Sequence, residues 1–164
     1  MFLNFEFKDM TDPKTLTAVA EFHKTFQHPI LDEPTIPSEI RCNLRIALIA
    51  EELKELQEAI ENKDIVEIAD ALCDIQYVLS GAILEFGLKD KFNALFEEVQ
   101  RSNMSKACKT EEEAKATQAH YLLKGVSSYY KEVDGLFLVF REEDNKTLKS
   151  INYSPADLKG ILNK

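Results

Sequence analysis

Leu44 to Gly87 reads LRIALIAEELKELQEAIENKDIVEIADALCDIQYVLSGAILEFG, and the spacing within it decides the fold. At about 100° per residue, Ile46, Ile49, Leu53, Leu56 and Ile60 share one helix face, the ordinary form of a packing stripe. Leu44, Leu48, Glu52, Glu55 and Ala59 step by four, four, three and four and form a second stripe, with Glu51 beside it. Carboxylates therefore continue a line that leucines begin. Asn62 and Lys63 turn the chain. Asp64 is the expected N-cap of a second long helix, which runs to Phe86 and ends with Gly87. On it Glu67, Asp70, Asp74 and Gly81 share one face, and Ile68, Leu72, Ile75, Leu79 and Phe86 another. Two long helices joined by a tight turn pack antiparallel, so their acidic stripes can face each other.

Outward from this pair, residues 1–11 read as a short, strand-like lead, and Asp12 with Pro13 opens a first helix. Leu16, Val19, Ala20, His23 and Phe26 keep one face of it. The loop QHPILDEPTIP carries three prolines, which stiffen it enough to wall a pocket. Pro37 and Ser38 open the helix that reaches about Glu61. Downstream, Asp90 is the expected cap of a fourth helix with the face Phe92, Leu95, Phe96 and Val99. Thr110 with Glu113 forms a capping box for a shorter helix to about Leu123, ended by Gly125. SYYKEV, Asp134-Gly135 and LFLVF read as a β-hairpin with a two-residue turn, and Ser154-Pro155 as the cap of a last short helix. The expected fold class is all-α, a bundle of four to five helices with a small C-terminal β-hairpin insertion. Residues 1–164 are expected to form a single domain: a helical core over 13–108, the helix and hairpin over 109–149, and a tail helix over 150–164.

The chain has 164 residues, 45% hydrophobic and 30% charged, with a formal net charge of -9. That hydrophobic fraction excludes wholesale disorder. The acidic excess argues against gripping nucleic-acid backbones, which need a basic face. No apolar run approaches a membrane span, the N-terminus lacks a signal pattern, and Cys42, Cys73 and Cys108 are odd in number and far apart. A reducing cytoplasm is the expected location.

The charge is concentrated. Between Glu51 and Asp74 stand nine acids (Glu51, Glu52, Glu55, Glu58, Glu61, Asp64, Glu67, Asp70 and Asp74), opposed only by Lys54 and Lys63, so this window carries -7 of the total of -9. Glu58 and Glu61 belong to the solvated face. Four or five carboxylates in one cleft raise each other's pKa, and a divalent cation relieves this. Hard carboxylate oxygens without His or Cys suit Mg²⁺, with Mn²⁺ possible. A di-iron bundle would bring Glu-x-x-His pairs, which the two helices lack.

EELKE (Glu51 to Glu55) resembles the EExxE motif of the all-α nucleoside triphosphate pyrophosphohydrolases, the MazG-like superfamily that includes phosphoribosyl-ATP pyrophosphohydrolase and dimeric dUTPases. EIAD (Glu67 to Asp70) fits the ExxD that follows. FEEVQRSNMSKA (Phe96 to Ala107) is similar to the FxEVHRxNxSK segment of one branch, NYSPADL (Asn152 to Leu158) to its tail, and EFH and His28-Pro29 to its first helix and loop. Within that branch the run DIQYVLSG to Gly87 points to Asp74 as motif aspartate, with Ala71 where a glutamate is expected. Asp70 serves in either register. The resemblance implies metal ligands ranked Glu52, Glu55, Asp70 and Asp74, then Glu51, then Glu67, with Glu51 or Glu55 as the base acting on water. It implies Mg²⁺-dependent hydrolysis of a nucleoside triphosphate to a monophosphate and pyrophosphate, in a homodimer or homotetramer.

Phosphate contacts are expected from the basic patch at Arg101, Asn103, Lys106 and Lys109, and from Asn152 and Tyr153 of the tail. A helix C-terminus that simply favours cations would also explain Arg101 and Lys106, but not the match to RSNMSK. Phe22, Phe26 and His28 suit a base pocket or the core, while Arg41 and Arg45 read as surface or subunit-contact residues. Two other functions stay open: phosphoribosyl-ATP hydrolysis, and a non-catalytic nucleotide-binding helical oligomer.

Overall fold

The computed structural model describes residues 13–163. The expected lead over 1–11 and the Asp12 helix start lie outside the described residues. Six helices and one hairpin follow in the order α1 (Thr15–Thr25), α2 (Glu39–Asn62), α3 (Ile65–Glu85), α4 (Phe92–Met104), α5 (Glu111–Leu122), β1 (Ser128–Val133), β2 (Leu136–Arg141) and α6 (Leu158–Leu162). The mostly helical fold class therefore stands as read. The chain divides into two compact units, one ending at Phe92 and the other beginning at Asn93.

In the first unit α3 packs against both α1 and α2. Asp64 caps α3, its carboxylate accepting from the N–H groups of Val66 (3.0 Å) and Glu67 (3.3 Å). Lys63 takes the left-handed conformation that closes α2. The proline loop lies along the end of α3, with Leu31 donating to the Leu84 carbonyl and Thr35 to that of Phe86, both at 3.0 Å. Gly87, at φ +67°, faces this loop so closely that a Cβ would collide with the Glu33 carbonyl. Gly87→Ala combines that clash with left-handed strain of about 1–2 kcal/mol. It is expected to lower the unfolding free energy of the first unit, measured in urea, by at least that much.

The burial of α2 differs from the simplest reading. The Ile46, Leu53 and Ile60 side chains are 67%, 59% and 56% exposed, and Leu72 and Leu79 of α3 are exposed as well. Of the α2 stripe expected to pack, Ile49 and Leu56 are half-buried, and the other three stand exposed among the described residues. It is the Arg45, Leu48, Glu52 and Ala59 line that turns inward, with Arg45 and Ala59 buried. Among the α1 residues, Val19 and His23 are buried while Phe26 is exposed.

The second unit packs α5 on the hairpin. Its core is Cys108, Ala114, Val139 and Leu148, flanked by Tyr121, Val126, Tyr130 and Phe137. Thr110 Oγ1 accepts from the Glu113 N–H (3.2 Å), and the Glu113 carboxylate accepts from the Lys109 N–H (2.8 Å). The hairpin turn is Asp134-Gly135, both at positive φ, which matches the twist of its strands. Two caps differ from expectation. Asp90 pairs with Lys89 in the turn before α4 instead of appearing as a cap (3.3 Å). Asp157, not Ser154, caps α6 by accepting from the Gly160 N–H (2.9 Å).

Candidate active site

Glu52 lies on the inward line of α2, seven residues after buried Arg45, and is itself half-buried. Burial, and then the negative charges of Asp74, Glu55, Glu51 and Asp70 in that order, hold its carboxyl above the ordinary glutamate value. Five of the six expected ligands are thus electrostatically coupled around one side chain. Glu67 is not among those charges. It stands exposed in the first turn of α3, where its N–H serves the Asp64 cap.

Asp74 is half-buried and bears on Glu52 more strongly than exposed Asp70 does. Ala71, 3% exposed, lies three residues before Asp74 on the same inward face of α3. A glutamate there would point into the cluster, so the burial pattern favours the register with Asp74 as motif aspartate. Among the described residues, no three side chains of His, Cys, Asp or Glu stand close enough together to hold a metal ion. The chemistry of the set still fits one. Its donors are carboxylate oxygens alone, as hard divalent cations require, and the raised Glu52 is the group a cation would stabilise most.

Further along the same helices Arg41 and Arg45, read from the sequence as surface or subunit-contact residues, join a buried network. Glu85 is fully buried at the end of α3. Arg41 grips it through Nε (3.1 Å, to Oε2) and Nη2, and Arg45 donates to it through Nη2. Burial pushes the Glu85 carboxyl up, but the hydrogen bonds and charges of Arg45 and Arg41 outweigh it and leave the pKa lowered. Arg45 Nη2 also lies 3.3 Å from His23 Nε2, and His23 Nδ1 lies 2.9 Å from the Pro29 carbonyl. That carbonyl can only accept, so Nδ1 carries the proton and Nε2 is the acceptor for Arg45. Burial lowers the His23 pKa, with Arg45 adding to the effect and the Pro29 bond opposing it. One signal in the sequence could have revealed this network. An antiparallel pair sets the start of α2 beside the end of α3, and arginines four residues apart then meet Glu85.

In the second unit the basic patch is partly committed to the tail. Arg101 donates to both Glu98 oxygens (2.8 Å each), to Ser154 Oγ and to the Pro155 carbonyl (3.0 Å each). Its fork is thus a clasp on the tail rather than a free phosphate receptor. Lys106 donates to Asn103 Oδ1 (2.8 Å), and the Tyr153 hydroxyl bonds Ser102 Oγ (2.8 Å). That bond, then the charges of Lys149 and Lys106, lower the Tyr153 phenol against a contrary effect of burial. Asn152 is exposed, its N–H donating to Ser150 Oγ (2.9 Å).

The Arg101 bonds, and then the Asp157 N–H (2.8 Å), bring Glu98 down to about 2. A depressed carboxyl contributes stability above its unfolded value, 4.5, and loses it as pH falls through about 2. An NMR titration of Glu98 is expected to show a midpoint near 2, and Arg101→Gln to move it toward 4.5.

No helix among the described residues is long and apolar enough to cross a membrane. The chain is 34% identical over 109 residues to an uncharacterized protein of Acanthamoeba polyphaga mimivirus, a match covering 60% of this chain and 42% of that protein. The chain thus spans less than half the length of this relative. A sequence profile described as phosphoribosyl-ATP pyrophosphohydrolase matches residues 19–103, just over half the chain and the stretch holding all of the coupled carboxylates. The chain belongs to the phosphoribosyl-ATP pyrophosphohydrolase family, which lies within the MazG-like all-α superfamily.

Proposed function

We propose that the protein is a metal-dependent nucleoside triphosphate pyrophosphohydrolase, cleaving between the α- and β-phosphates to give a nucleoside monophosphate and pyrophosphate. Family membership suggests pyrophosphohydrolase chemistry. The observation that carries the finer reading is the coupling of Asp74, Glu55, Glu51 and Asp70 to a raised Glu52.

Glu52, Glu55, Asp70 and Asp74 are the residues that would hold Mg²⁺, or Mn²⁺ in its place, with Glu51 next and Glu67 last. When bound, the ion would neutralise phosphate charge and acidify a coordinated water. Glu51 and Glu55 are the exposed members of the α2 group and have oxygens free to orient a water and take its proton. One water is consumed and the α–β anhydride is broken. Lys106, Asn103, Asn152 and Tyr153 are proposed phosphate contacts. Arg101 acts mainly by holding the tail that carries Asn152 and Tyr153.

The line Ile46, Ile49, Leu53, Leu56 and Ile60, exposed at Ile46, Leu53 and Ile60, follows the three-four spacing of helix-to-helix seams. It supports a homodimer or homotetramer, which sedimentation equilibrium would size. The family description favours a second reading, phosphoribosyl-ATP as the substrate, and the missing carboxylate at Ala71 a third, binding without turnover. A pyrophosphate-release screen against the common nucleoside triphosphates and phosphoribosyl-ATP, with Mg²⁺ or Mn²⁺, separates them. Release from triphosphates supports the first reading, release from phosphoribosyl-ATP alone the second, and no release the third.

A further inference from the structure

A cavity of about 370 Å³ opens between α1, the first half of α2 and the second half of α3. Phe22, His28 and Tyr77 are its aromatic walls. Phe22 and His28 lie nearly parallel, 24° between planes and 5.8 Å between centroids, and Tyr77 meets Phe22 edge-on at 5.5 Å. Phe22 and Tyr77 are partly exposed, so the space reaches solvent. Flat rings of this kind favour a flat aromatic guest.

The most buried part of the polar lining is one-sided. Arg41, Arg45 and His23 belong to it. Both oxygens of Glu85 are taken by Arg41 and Arg45. The one acceptor nitrogen of His23 faces Arg45. Two guanidinium groups against one carboxylate leave one positive charge over. Arg45 is 7% exposed, and its Nε–H is buried with no partner. The one buried polar atom of the lining without a partner is therefore a donor, while the acceptors that His28 and Tyr77 offer lie nearer solvent. Gly81 makes room for this arrangement, since a Cβ there would lie 2.6 Å from Arg45 Nη1 and 3.1 Å from His23 Nε2.

The cavity also continues the carboxylate cluster. Leu48 lines it four residues before Glu52, and Tyr77 three residues after Asp74. Each step is about one helical turn, roughly 5 Å. We propose, building on the pyrophosphohydrolase reading, that the cavity receives the nucleotide's base and that Arg45 selects oxo bases over amino bases. Uracil, thymine, guanine and hypoxanthine present a carbonyl on the edge away from the sugar. Cytosine and adenine present an amino group there, which would meet the guanidinium donor against donor. Adenine nucleotides, phosphoribosyl-ATP included, are then poor substrates.

Two pairs test this because each exchanges a carbonyl for an amine at nearly constant shape: dUTP with dCTP, and dITP with dATP. The expected preference in kcat/KM is about tenfold or more for the oxo member of each. The four corresponding nucleosides, titrated into metal-free protein by calorimetry, are expected to show the same order of affinity. Gly81→Ala, which displaces the guanidinium, is expected to erase the preference. Equal or reversed preference within the pairs overturns the assignment, even if pyrophosphate is released from every triphosphate and the hydrolase reading stands. Oxo-selective nucleoside binding without any pyrophosphate release sinks the hydrolase reading and leaves the pocket assignment intact.

Discussion

Glu52→Gln is expected to lose pyrophosphate release by about 100-fold or more, while folding normally and, without added metal, unfolding at higher denaturant than the parent. The two effects have one cause. Burial and four neighbouring carboxylates raise the Glu52 pKa. A raised carboxyl favours the fold fully below its unfolded value, 4.5, and that contribution is lost as pH rises through the folded value. At neutral pH the ionised Glu52 is therefore a burden on the fold, which the neutral amide removes. Asp74→Asn removes the strongest of the acting charges and is expected to behave likewise. Urea melts at pH 4 and pH 7 check the sign, since the gain from Glu52→Gln should shrink toward the acid side. Full activity in both variants would dismiss the cluster as the site.

The largest expected effect on stability lies elsewhere. Glu85→Ala leaves Arg41 and Arg45 without their shared partner, with the Arg45 side chain 8% exposed and Glu85 1%. Removing one member of a buried ion group typically costs about 3–5 kcal/mol, because the remaining charge stays desolvated. Glu85→Ala is expected to fall in that range by urea denaturation at pH 7. The combined change Arg41→Met, Arg45→Met and Glu85→Leu is expected to recover most of the loss, since it removes the charges together. A loss under about 1 kcal/mol for Glu85→Ala would mean that the network is solvated and contributes little.

Much of the architecture was legible because it is encoded locally. Asp64, the Thr110–Glu113 pair, Gly87 and Asp134-Gly135 each act on backbone groups within a few residues, and each sits where its chemistry predicts. The acidic stripe was legible for a related reason, since a four-four-three-four step needs only the helix period. Periodicity alone does not say which stripe a single chain covers. Ile46, Leu53 and Ile60 carry the stronger apolar signal and stand exposed, while Arg45 and Glu52 turn inward. Nor does it pair residues across elements. Arg45 meets Glu85 across forty residues, and Arg101 clasps a tail more than fifty residues away. Such partners emerge only once the helices are set side by side. The choice between Asp70 and Asp74 was open for the same reason, and it is the burial of Ala71 and the stronger coupling of Asp74 that favour one register.

The central claim is that the carboxylates of α2 and α3 form a site that splits the α–β anhydride of a nucleotide. The most direct measurement is ³¹P NMR of dUTP incubated with the purified protein and Mg²⁺, which identifies the products by their phosphorus signals. The account predicts dUMP and pyrophosphate in equal amounts, with formation abolished by excess chelator. Accumulation of dUDP and phosphate, or unchanged dUTP, would contradict it.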